Sequence, residues 1–316
     1  MNSTALKATL LHNPKSSMSR WRADEIVAAL HEGGYEPSYH STKEKGWKKA
    51  AAEAKGRLIV AGGDGTVAKV CKLPETDRHH IAILPTGGAN NIASSFGIFG
   101  DPLELARDLQ SLQTHVYRIG TVKGHEDIDS FCEGVGVGAL AAIAGMVPND
   151  MERDAKREAG RKALQEVLAE AEPVEIEMTL DGAPWNEPSL MVEILIISTI
   201  GPSLMLAPGH DPASDRFTIR WLPEGDREVM IEWLNAPEDG PPPLKEASAH
   251  KVQLKTSSIM RIDDATQKKG GKVTLSLDGR HVDILVPPKR DGTAEAADPV
   301  EDDAEPSAGD NGRPTG

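Results

Sequence analysis

The 316-residue chain carries 49 Asp and Glu against 35 Lys and Arg, a formal charge of −14, and has no Lys/Arg stripe interleaved with aromatics, which argues against a nucleic-acid face. Two cysteines, Cys71 and Cys132, are too few to staple a fold of this length, and the N-terminus lacks the basic-then-apolar pattern of a secretory signal, so a cytoplasmic location is expected. The most apolar stretches, residues 134–147 and 190–200, fall short of the roughly 20 residues of a spanning helix.

Short apolar runs alternate with amphipathic stretches over the first hundred residues, the pattern of a parallel sheet covered by helices. Residues 8–12 read as the first strand, followed by a turn, Asn13-Pro14-Lys15-Ser16-Ser17, and a helix over 19–32 that Gly33-Gly34 ends. Residues 35–40 form the next strand, 43–54 a Lys- and Ala-rich helix, 57–61 a β-branched strand running into glycines, and 81–84 a further strand. From about Thr114 strands follow one another with few helices between. The candidates are 116–123, 130–137, 174–180, 191–199, 217–222, 251–255 and 272–286, interrupted by a helix over 150–171 and a stiff Pro-rich connection at 239–243. The expected fold is a doubly wound α/β parallel-sheet domain (1–113), a β-rich, sandwich-like domain (114–288) and a disordered acidic tail (289–316). From Asp291 to Gly316 eight acids face a single base, Arg313, with little apolar surface to offset chain ordering.

Gly62-Gly63-Asp64-Gly65-Thr66 stands directly after a buried strand and before a helix. Glycines let backbone amides approach an anion, and the positive end of a helix dipole adds to them. Asp64 is the informative misfit, because a carboxylate among phosphate-binding amides implies a divalent cation, a proton to be received, or both. Thr66 offers a hydroxyl to a phosphate or caps the helix. A second loop, Leu84-Pro85-Thr86-Gly87-Gly88-Ala89-Asn90-Asn91, follows the next strand and again opens onto a helix. In a parallel sheet both loops lie at the carboxyl ends of the strands, where open α/β folds bind ligands.

With these loops, and with Leu10-Leu11-His12-Asn13-Pro14 before them, the chain resembles the diacylglycerol kinase catalytic family, which includes sphingosine kinases and bacterial lipid kinases and is related to NAD kinases. Residues 131–138, Ala207-Pro208 with Asp215, and Leu277-Asp278-Gly279 look like the family's later landmarks. The resemblance implies ATP and Mg2+ as cofactors, a lipid acceptor met in transient contact with a membrane, and transfer of the γ-phosphate to a lipid hydroxyl. It implies that Asn13, Pro14, Lys15, Ser16, Ser17, Thr42, Gly62, Gly63, Gly65 and Thr66 bind the nucleotide together with Gly87, Gly88 and Asn90. Asp64 would serve the reacting phosphate and its magnesium, and Asp215 an accessory magnesium. A homodimer is left open.

Four positions depart from the family pattern. Gly88 stands for a Thr, Lys69 for a Glu, and Pro212 for a Lys beside Asp215. Arg280 follows Asp278-Gly279 where the family has a Glu thought to act as general base, and a guanidinium does not accept a proton. The reading that accommodates this gives Asp64 the hydroxyl proton and lets Arg280 bind the transferring phosphate or an anionic head group. Two alternatives stand beside it: a nucleotide- or lipid-binding relative that has lost turnover, and a kinase of NAD or another soluble alcohol. His79-His80 and His210-Asp211 lack metal-site spacing, and the five tryptophans read as packing.

Overall fold

The computed structural model describes residues 5–16, 21–148, 151–268 and 270–288; the expectations for Ser17, for the first residues of the helices begun at 19 and 150, and for the 289–316 tail lie outside them. The first strands and helices follow in chain order: β1 (Leu6–His12), α1 (Ala23–Glu32), β2 (Tyr35–Ser41), α2 (Trp47–Ala52), β3 (Arg57–Gly62), α3 (Asp64–Cys71), β4 (His80–Pro85) and α4 (Asn91–Ser95). The four strands are parallel in the order β2-β1-β3-β4. Alternation in the strands feeds both faces. Leu10, Ile59 and Leu84 pack beneath Ile26 and Leu30 of α1, while Leu11, Leu58, Val60 and Ile83 face Val67 and Val70 of α3. Both faces are thus covered, as in a doubly wound sheet.

Two further six-stranded sheets, antiparallel throughout, form the β-rich part. Ser189–Leu195 lies at the heart of one, between Gly134–Gly138 and Phe217–Pro223; Lys251–Thr256 lies in the other, between Ile176–Leu180 and Gly271–Ser276. The sheets pack face to face. Phe131 stacks on Phe217 with centroids 6.0 Å apart, and Trp185 meets Trp221 edge-on at 5.5 Å. The helix Arg153–Glu170 buries Leu164 and Leu168 against this body. The two-part α/β plus β-rich architecture expected from sequence is therefore present.

The chain divides the strands differently from the sequence reading. Residues 116–123 do not make one strand: Gln113–Arg118 belongs to the first sheet and Gly120–Lys123 to the second. The 272–286 run splits likewise into Gly271–Ser276 and His281–Val286, and the latter inserts between β4 and Gln113–Arg118. In both runs apolar and β-branched residues continue on either side of the break, so only tertiary pairing shows where each changes sheet. The two crossings lie side by side, joined by the Ile119 amide donating to the Arg280 carbonyl at 2.9 Å.

Candidate active site

Register brings three turns to one edge. His12 pairs with Ala61 and Gly62 with Pro85, so the chain leaves β1, β3 and β4 at the same level. The turn after β1 is an Asx turn, with Asn13 Oδ1 accepting the Lys15 amide at 3.2 Å. Asn13 Nδ2 donates to Thr66 Oγ1 at 3.0 Å, and Ser16 Oγ lies 2.6 Å from Thr86 Oγ1, so this turn is tied to both glycine loops. Those loops touch backbone to backbone: a Cβ on Gly87 would stand 2.4 Å from the Gly63 Cα. Glycine is required at both positions for the approach.

α3 begins at Asp64 itself, inside the glycine turn, with Gly63 as its extended N-cap. Asp64 Oδ1 accepts the Ile92 amide at 2.9 Å, and the amides of Asn90 and Asn91 also favour its charge, so the carboxylate is seated on the N-terminus of α4. Burial nevertheless raises its pKa above the ordinary carboxylate range. Asn90 takes the left-handed conformation, φ 55°, and clamps Gly87 by accepting its amide and donating to its carbonyl.

Beyond these loops opens a cavity of about 1200 Å³. Of the residues singled out from sequence, Asn13, Lys15, Ser16, Gly63, Asp64, Gly65, Thr66, Gly87 and Gly88 line it. Lys69 lines it too, placing a cation where the family's Glu would be. Pro14, Gly62 and Asn90 frame the loops without lining the cavity. Thr42 opens the turn after β2, outside the cavity lining, and its amide donates to the His12 carbonyl at 2.8 Å.

Two further residues singled out from sequence lie outside the cavity. Asp215 does not line the cavity but sits exposed beside His250, 3.8 Å away, because the segment carrying it ends against His250 at the edge of the β-rich part. Arg280 is not there either: it donates to the carbonyls of Lys72 at 2.7 Å, Leu73 at 2.6 Å and Cys71 at 3.3 Å, and pairs with Asp77. Its guanidinium caps the C-terminal end of α3, the negative end of that helix, and does not line the cavity where a lipid head or transferring phosphate would lie.

The far wall comes from the β-rich part and holds groups that motif reading missed. Glu133, 8% exposed, lines the cavity and accepts from Asn91 Nδ2 at 3.3 Å. Its pKa is pushed well up by burial, then by the charges of Asp64 and Asp263, against the pull of Arg261. Asp263, 4% exposed, accepts the amides of Cys132 and Glu133 and pairs with Lys72 at 2.7 Å. Arg261 pairs with the buried Glu193 at 2.7 Å, and Gly136 is the residue that leaves room for that carboxylate. Arg153, Lys156 and Arg157 line the cavity from the long helix. The stem of Lys156 lies over Gly88, 3.5 Å from where a Cβ would stand, in space a larger residue would fill. Leu140, Ile143, Ala144 and Val147 supply an apolar flank. A carboxylate seated in the elbow of a parallel sheet thus faces a mixed apolar and cationic wall on the β-rich part.

Comparison with known proteins narrows the class. Residues 7–122 match the family model of the diacylglycerol kinase catalytic domain. A Bacillus subtilis (strain 168) protein described as a diacylglycerol kinase is 26% identical over 235 residues, 71% of this chain and 76% of its own. A Yersinia enterocolitica protein described as a probable lipid kinase, YegS-like, is 42% identical over 66 residues, 20% of this chain and 21% of its own. In fold, a crystal structure from Bacillus anthracis str. Sterne, described as that of a candidate diacylglycerol kinase, superposes with a TM-score of 0.68 at 17% identity, over 91% of this chain and 99% of that one. Residues 7–122 thus resemble the diacylglycerol kinase catalytic domain, and the relatives that the chain matches are described as diacylglycerol or lipid kinases.

Proposed function

We propose that the protein transfers the γ-phosphate of ATP to the hydroxyl of a lipid. The observation that carries this is the cavity itself: glycine loops and Asp64 on one wall, an apolar flank with cationic side chains on the other. The amides of the Gly62–Thr66 turn, with Lys15 and Lys69, orient the phosphates, and this positioning is most of what a loose phosphoryl-transfer transition state asks of a protein. Leu140, Ile143 and Val147 suit the acyl part of an amphiphilic acceptor, and Phe99, Met146 and Met205, each at least half exposed, give a peripheral membrane a local apolar contact. Among the described residues no helix is long and apolar enough to cross a bilayer.

Magnesium would be held by Asp64, whose second oxygen is not taken by the Ile92 amide, and would supply charge neutralisation on the phosphates. The acceptor's proton goes to a carboxylate of the cavity floor as its oxygen attacks the γ-phosphorus and the bond to ADP breaks. The test is a labelled-phosphate screen over diacylglycerol, sphingoid bases and other hydroxylated lipids. Transfer that Asp64→Asn abolishes supports the reading, and transfer at wild-type rate by that variant refutes it. Arg280 favours one competing reading, a binding protein without turnover, because the position of the family's Glu is here spent on a helix end. Calorimetric ATP binding without transfer to any acceptor selects it.

A further inference from the structure

Beside Asp64 the floor of the cavity gathers further oxygens, to which the kinase reading gives no metal role. Asn91 and Glu133 are 4% and 8% exposed, and both line the cavity with Asp64. The Asn91 amide nitrogen donates to Glu133 Oε2 at 3.3 Å and to the Gly201 carbonyl at 3.1 Å, which fixes the amide's orientation. Its Oδ1 is thereby left buried and without a partner. An orphaned buried acceptor costs free energy unless something donates to it. Two nearby cations pair elsewhere, Arg261 with Glu193 and Lys72 with Asp263, and Arg261 and Arg157 act on the carboxylates beside it only as neighbouring charges.

We infer that Asp64, Glu133 and Asn91 together form a binding site for a hard divalent cation, bridging the two domains. Carboxylate and amide oxygens are the donors such cations select, with remaining positions left to water or phosphate oxygens. Glu133 supplies the second negative charge, and the exposed Asp215, paired with His250, takes no part. Asn91 rides on α4, whose N-terminus seats Asp64, while Glu133 is held by the Asp263 carboxylate that accepts its amide at 2.7 Å. The cation thus ties the loop after β4 to the β-rich wall. Its use in phosphoryl transfer rests on the kinase reading; its binding does not.

The experiment titrates Mn2+ alone into the full chain without nucleotide, reading free ion by electron paramagnetic resonance. Wild type is expected to hold one ion, with Glu133→Gln and Asp64→Asn weakening binding about tenfold or more, as loss of a ligand should when even outer partners matter that much. Asp215→Asn should bind as wild type. Asn91→Asp, which adds a carboxylate, should bind more tightly, a gain that a damaged fold does not produce; it decides the matter if thermal melting shows Glu133→Gln unfolded. Wild-type affinity in a folded Glu133→Gln, no bound Mn2+ in wild type, or weaker binding by Asn91→Asp overturns the site. Label transfer to lipids with no such dependence of Mn2+ binding removes this inference alone, and Mn2+ binding as described with no transfer to any lipid removes only the kinase reading.

Discussion

Replacing Gly87 by alanine probes the contact on which the cleft is built. The new Cβ would stand 2.4 Å from the Gly63 Cα and 2.7 Å from Asn90 Oδ1. Carbon atoms rest about 3.5 Å apart at closest, so the two loops must separate by roughly 1 Å. The Asp64–Ile92 hydrogen bond, now 2.9 Å, would then open to about 3.9 Å, outside bonding range. Overpacking of this kind costs about 1–3 kcal/mol and a charge-assisted hydrogen bond about 1.5–3 kcal/mol, which with partial relaxation gives roughly 2–4 kcal/mol in all. At about 2–4 °C per kcal/mol for a chain of this order, the melting temperature should fall by about 5 °C or more. Misplacing one phosphate-binding amide should weaken ATP about tenfold by calorimetry. Gly88→Ala is the control: its Cβ would meet only the Lys156 stem, at an ordinary 3.5 Å, and should leave both quantities close to wild type. If Gly87→Ala melts and binds ATP as wild type does, the back-to-back packing of the two loops is wrong.

Arg280→Ala should destabilise by about 1.5–3 kcal/mol in urea denaturation, through loss of charged hydrogen bonds to the α3 end, with nucleotide affinity unchanged. Arg280→Glu, which restores the family's residue type, should be worse rather than better, since it sets a carboxylate against three carbonyls; recovered or raised turnover would contradict the capping role. Glu133 holds its proton to higher pH when folded than when unfolded, so its contribution is fully present below the ordinary carboxylate range and lost as pH rises through the elevated folded value. Without divalent ions, Glu133→Gln should therefore flatten the decline of melting temperature with rising pH; an unchanged slope would refute this. Asp263→Ala strands Lys72 and the amides of Cys132 and Glu133, and should cost about 3–5 kcal/mol by denaturant titration.

The α/β half was legible in the chain because each signal was local: Arg57–Gly62 is a β-branched run ending in glycines, and a strand that feeds a glycine elbow before a helix has few other readings. The same locality exposed Asp64 as a charge out of keeping with its surroundings. What stayed hidden depends on partners distant in sequence. Glu133 reads as an ordinary polar residue beside a strand until it is set beside Asn91 and Asp64, and Asp263 acts on amides some 130 residues away. Arg280 was noticed as a departure from the family, yet its role depends on the end of a helix that closes about 210 residues earlier, which no spacing rule conveys. Gly63 and Gly87 were read as making room for phosphate; their shared contact shows that they make room first for each other.

The position of His281–Val286 within the first sheet governs how the molecule is made. A ribosome delivers β1 to β4 early, but the slot between β4 and Gln113–Arg118 is filled by a strand translated about 160 residues after the latter. Until then the nascent sheet presents open ladder edges to its surroundings, and early compaction cannot finish. Arrival of His281–Val286, rather than emergence of the glycine elbows, is thus the moment at which the cleft acquires its rigid frame, and a product cut short before His281 should be prey for chaperones and proteases instead of a smaller working protein.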